Sequence, residues 1–90
     1  MKVVVLYRPN SEHRRSVEEF IHEFSRRYIE QRVEVVDIDS RDGMATVSLY
    51  DITAYPAILA LRDDGSVSMI WQGDQLPLLD EVAGNTLARR

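Results

Sequence analysis

Ser11 and His13, with Arg8, Arg14 and Arg15 around them, form the densest cluster of chemistry-bearing side chains in this chain of 90 residues. A serine hydroxyl near an imidazole suggests a nucleophile and its base. Residues i and i+2 of a first helical turn do not face each other, however, and no third group stands ready to orient the imidazole. Hydrolysis is therefore not the expectation. Ser11 reads more simply as a helix cap, because a serine oxygen accepts from an orphan N–H at a helix start. Arg8, His13, Arg14 and Arg15 are opposed locally only by Glu12. Cations at the positive end of a helix dipole call for an offset: an anionic ligand, a partner's carboxylates, or Asp37, Asp39 and Asp42 of the same chain. Internal pairing is the simplest of these, since surface charge clusters commonly bind nothing.

The composition also excludes several chemistries. There is no cysteine, so disulfides, thiolate nucleophiles, dithiol redox cycling and cysteine-held metals are all ruled out. His13 and His22 are too few for a metal site, and His22 falls off the apolar stripe of its helix. Asp37/Asp39 mark a polar strand end and Asp63/Asp64 a turn, so neither pair supports acid–base or metal chemistry. No cofactor is expected. Eleven basic against fifteen acidic residues leave a net charge of −4, which gives no basic face for nucleic acid. No apolar run approaches the ~18 residues of a membrane span. The start of the chain carries no signal-peptide pattern. A soluble cytoplasmic protein with no membrane partner is the expectation.

The elements that must position the cluster follow from periodicity. Lys2–Tyr7 is a continuously apolar, β-branched run ending in the turn residues Arg8-Pro9-Asn10-Ser11, and reads as a strand buried on both faces. Val17, Phe20, Ile21, Phe24 and Tyr28 recur every three or four residues on one helical stripe. Asn10 or Ser11 is the expected start of that helix. Val33–Asp39 reads as a second strand. Gly43–Tyr50 reads as a short helix, with Met44, Val47 and Tyr50 on its stripe and Ala45 and Leu49 beside it. Pro56 opens a third strand, Ala57–Leu61, where its missing N–H costs no ladder bond. Asp64-Gly65 fits the centre of a type I′ hairpin turn. In the alternating strand Ser66–Gln72, Val67, Met69 and Trp71 are the expected core face. Leu76, Leu79, Val82 and Ala83 pattern a last helix ending near Gly84-Asn85, with 86–90 frayed.

The order β-α-β-α-β-β-α implies one α/β domain over 1–90. The apolar first and third strands belong at the centre and the crossover is right-handed. The sheet is therefore mixed, four-stranded, ordered 2-1-3-4, with helices on both faces.

Three stretches of this chain resemble the thioredoxin/glutaredoxin superfamily, and together they cover nearly all of it. In LYRPNSEHRRSVEEFIHEF, the offsets of Val17, Phe20, Ile21 and Phe24 from Arg14 match those that follow the family's second cysteine. Ser11 and Arg14 thus fall where the C-x-x-C cysteines would be. VDIDSRDGMATVSLYDITAYPAILALRDDG is similar to the family's strand, short helix and cis-proline, with Pro56 as that proline. Asp51 replaces the usual glycine after the short helix, and Ala57 the threonine that often follows the proline. Gly73 before an amphipathic terminal helix is the third stretch.

The resemblance implies a redox-inactive member whose surviving property is binding. The expected ligand is a protein segment or extended peptide laid along Ser11–Arg14, Tyr55 and Pro56. Arg8, Arg14 and Arg15 would bias it toward acidic partners, with His13 on the same rim. The alternative the resemblance implies is a glutathione-binding or glutathione-transferase-like protein using Ser11. A third reading is a subunit that associates through its edge strands, notably Ser66–Gln72.

Overall fold

Four strands, β1 (Lys2–Tyr7), β2 (Arg32–Asp37), β3 (Ala57–Leu61) and β4 (Val67–Gln72), form one sheet in the order β2-β1-β3-β4. The structure is a computed structural model that describes residues 2–73 and 75–86. Helix α1 (Arg14–Arg27) connects β1 to β2, α2 (Arg41–Leu49) connects β2 to β3, and α3 (Leu79–Thr86) follows β4. β1 runs parallel to β2 and antiparallel to β3, and β3 is antiparallel to β4. The expected strand order and mixed pairing are those observed.

The two all-apolar strands are central because both of their faces are covered. Val3, Val5, Tyr7 and Ile58 point to one side, where Val17, Phe20 and Phe24 of α1 and Val82 and Ala83 of α3 pack on them. Val4, Leu6, Ala57, Leu59 and Leu61 point to the other, under Ile38, Ile52 and the half-buried Val47 and Tyr50. Each layer alternates with the two-residue period of the strand.

Five local expectations are corrected. α1 starts at Arg14, not at Asn10 or Ser11. The chain first makes two successive tight turns, with Ser11 N–H donating to Arg8 C=O (3.0 Å) and Arg14 N–H to Ser11 C=O (3.2 Å). The i→i−4 ladder begins only with Val17 N–H donating to His13 C=O (3.0 Å). β2 ends at Asp37 because Asp37 turns its carbonyl onto Ser40, whose hydroxyl caps α2 by accepting from Gly43 N–H (3.0 Å). Met44 and Leu49 of α2 are 59% and 72% exposed, since Ile38, Ile52 and Tyr50 already fill that layer.

The hairpin turn is not type I′. Only Gly65 has positive φ (89°), and Gly65 N–H donates to Arg62 C=O while Arg62 N–H donates to Ser66 C=O, at 2.9 Å each. That is a three-residue loop with glycine in the left-handed position. Asp64 stabilises it by accepting from the Ser66 N–H and hydroxyl, which lowers the Asp64 pKa. Beyond the turn, Leu61 pairs with Val67 but Ala60 with Met69, so Ser68 is an extra residue in β4. The bulge inverts the alternation. Val67 and Ile70 pack on the α2 side, Trp71 on the α1/α3 side, and Met69 is 44% exposed. The expected single face of Val67, Met69 and Trp71 is therefore split. α3 runs through Gly84 and Asn85 to residue 86, and of the expected frayed end 87–90 lies outside the described residues.

Candidate functional site

At the carboxyl ends of β1 and β2, the Arg8–His13 loop faces the loop that enters β3. Between them lies a cavity of about 380 Å³. Tyr7 and Ile38, both core residues, make its floor, and Tyr55 and Pro56 make one wall. Arg8, Ser11, Glu12 and His13 form the opposite rim. Five of the seven expected rim residues, Arg8, Ser11, His13, Tyr55 and Pro56, thus line one concavity. Arg14 and Arg15 do not. They lie in the first turn of α1 and border shallower depressions along its outer face and beside Pro9-Asn10.

The Tyr55–Pro56 bond is cis. Two groups from the end of β4 hold this loop in place. The Gln72 side-chain oxygen accepts from Thr53 N–H (2.8 Å), Ala54 N–H (3.2 Å) and the Thr53 hydroxyl (3.3 Å). Gly73 N–H donates to Pro56 C=O (3.0 Å). The main-chain N–H and C=O of Tyr55 make no hydrogen bond among the described residues. Asp51 adopts the left-handed conformation (φ 55°) that the turn demands. Aspartate is among the few side chains that tolerate it.

Of the rim cations, Arg8 takes a partner that the internal-pairing reading expects, and Arg14 takes Glu18 of its own helix instead. Arg8 donates through Nε to Asp39 Oδ2 (3.0 Å) and through Nη2 to Asp39 Oδ1 (3.3 Å). This hydrogen-bonded pair raises the Arg8 pKa. Asp37 Oδ1 accepts from Asp39 N–H (2.9 Å), which places the Asp39 carboxylate. Arg14 lies 3.8 Å from Glu18, one turn along α1. Glu18 in turn accepts from the Tyr7 hydroxyl (3.1 Å). Burial first, and the neighbouring Glu18 second, raise the Tyr7 pKa above 10.0. Arg15 has no ion pair among the described residues.

Ser11 does not cap α1. Its hydroxyl donates to Arg8 C=O (2.7 Å) and accepts from His13 N–H (3.2 Å), so it closes the preceding turn. The N-cap is His13, with no side-chain bond to the helix N–H groups. Periodicity gave no warning of Tyr7, Ile38 or Gln72 as site residues. Tyr7 read as part of a strand buried on both faces, Ile38 only as part of the second strand, and Gln72 as lying on the face of its strand opposite Val67, Met69 and Trp71.

Neither a family model nor a curated protein sequence matches the chain. A search of solved structures does find a likeness. The crystal structure of thioredoxin O2 from Arabidopsis thaliana in its oxidized state superposes with a TM-score of 0.70 at 17% identity, over 92% of this chain and 69% of that one. At that identity the likeness concerns the fold. Together with the observed strand order it is specific. This chain has a thioredoxin-like fold and none of the cysteines that dithiol–disulfide exchange requires.

Proposed function

We propose that the chain is a binding module that takes an extended protein segment across the cavity between the Arg8–His13 loop and Tyr55-Pro56. The observation that carries this reading is the main chain of Tyr55, unpaired among the described residues, beside an apolar floor of Tyr7 and Ile38 and the wall of Pro56. An extended ligand gains affinity from main-chain hydrogen bonds and specificity from a pocket for one side chain. The cavity volume suits one large side chain with its backbone. The bias toward acidic partners has little to rest on here, because Arg8 and Arg14 already face Asp39 and Glu18 and Arg15 borders other depressions. The glutathione reading has less support: the Ser11 hydroxyl proton is held by Arg8 C=O, which leaves it no donor for a bound thiolate.

The test is titration of the isotope-labelled chain with a set of unstructured peptides of varied sequence, followed by backbone NMR. Shift changes should concentrate in residues 7–13, 38 and 53–57. Glutathione alone should move none of them. Shifts absent at millimolar peptide, or scattered over the sheet edges, would overturn the reading.

A further inference from the structure

The two open edges of the sheet differ. β4 is interrupted by the extra residue at Ser68, and a bulge is one of the devices that blunts an edge against pairing. β2 has no such defence. All six of its residues stay in register with β1, from Lys2↔Arg32 to Tyr7↔Asp37. Ile38 N–H donates to Tyr7 C=O, so even-numbered residues face β1. Val33, Val35 and Asp37 therefore turn their main-chain groups outward. Asp37 C=O is taken by Ser40, but among the described residues both groups of Val33 and Val35 remain for a further strand.

We infer that this edge pairs with β2 of a second copy of the chain, antiparallel about a two-fold axis at Val33. The side chains select both partner and register. In a continuous antiparallel pair, opposed residues share a face, so the axis passes through one residue. An axis at Glu34 sets two carboxylates against each other. An axis at Val35 puts Arg32 and Glu34 opposite Ile38 and Val36. An axis at Val33 puts Arg32 of each copy opposite Glu34 of the other, twice, and brings Val35 against Gln31. Arg32 is exposed and has no ion pair among the described residues. Glu34 is half-exposed, with Lys2 on its inner side at 2.8 Å, so the second copy completes a Lys–Glu–Arg row. The triplet Arg32-Val33-Glu34 is its own antiparallel complement. This inference does not depend on the peptide-binding reading, since the cavity lies at the strand ends and not along this edge.

Sedimentation velocity of the full chain over a concentration series should show a monomer–dimer equilibrium. R32E sets glutamates opposite glutamates, and E34R sets arginines opposite arginines. Each should raise the dimer dissociation constant roughly tenfold or more. The double swap R32E/E34R should recover part of the loss, since the cross-strand pairs return but Lys2 then lies beside an arginine. Equimolar R32E and E34R chains should form a mixed dimer that neither forms alone. A wild-type chain that stays monomeric across the series would overturn the inference. So would a dimer indifferent to both single swaps, or one weakened by them that neither the double swap nor the mixture even partly restores.

Discussion

Gly43→Ala should destabilise the protein although alanine is the better helix former. Gly43 is buried in the first turn of α2, where a Cβ would stand 2.0 Å from Asp37 O and 2.8 Å from both Asp37 C and Ile38 Cα. Real Cβ atoms essentially never come closer than 3.0 Å. The contact must therefore open by at least 1.0 Å, and every opposing atom is main chain, so no rotamer change relieves it. Overpacking of this kind costs about 1–3 kcal/mol, and rigid opposing atoms place it at the upper end. Helix propensity returns about 1 kcal/mol. The net loss is about 2 kcal/mol, or a fall in Tm of about 8–16 °C for a domain this size. Thermal and urea unfolding followed by circular dichroism would measure it. Ala45→Gly, at an exposed site two residues on, is the control and should lose about 1 kcal/mol through propensity alone. Alanine would then be preferred at 45 and glycine at 43. A Gly43→Ala protein as stable as wild type, or more so, would refute the close-approach argument.

Two further outcomes follow from the site. Gln72→Ala should speed amide exchange at Thr53 and Ala54, while Gln72→Glu, which keeps an acceptor oxygen, should preserve their protection; equal behaviour of the two variants would contradict the clamp. Tyr7 should ionise above 10.0, as read by phenolate absorbance, and Glu18→Gln should bring its pKa part of the way down while burial keeps it raised. Because the folded pKa is the higher one, Tyr7 stabilises the fold below pH 10 and loses that contribution as pH rises through the folded value. A Tyr7 titration unmoved by Glu18→Gln would remove Glu18 as a cause.

The sheet could be read from the chain because its evidence is redundant. Apolar β1 and β3, an Asp-Gly turn between β3 and β4, and a helix between β1 and β2 admit few arrangements. Single-residue events were not legible. VSMIWQ alternates whether or not Ser68 bulges, and only pairing with Ala60 and Leu61 shows that it does. Pro9-Asn10-Ser11 announces a turn, but not that two turns follow one another before α1 begins. Met44 and Leu49 are apolar enough for a core whose places Ile38, Ile52 and Tyr50 already hold. The rim residues near Pro56 were legible through resemblance. Arg14 and Arg15 went astray because the later helix start turns them away from the cavity. Gln72 was invisible because its role is a reach across the fold to residues 18 and 19 positions earlier.

Ser11 and Arg14 occupy the places where the resemblance puts the dithiol, and neither belongs to a core cluster. Arg14 is 62% exposed, and main-chain bonds close the turn that joins the two. What stands at these two positions is thus nearly independent of what makes the sheet fold. In such a scaffold these two positions can change without repacking either core layer, so the stability of the sheet is carried by residues that take no part in what the rim does.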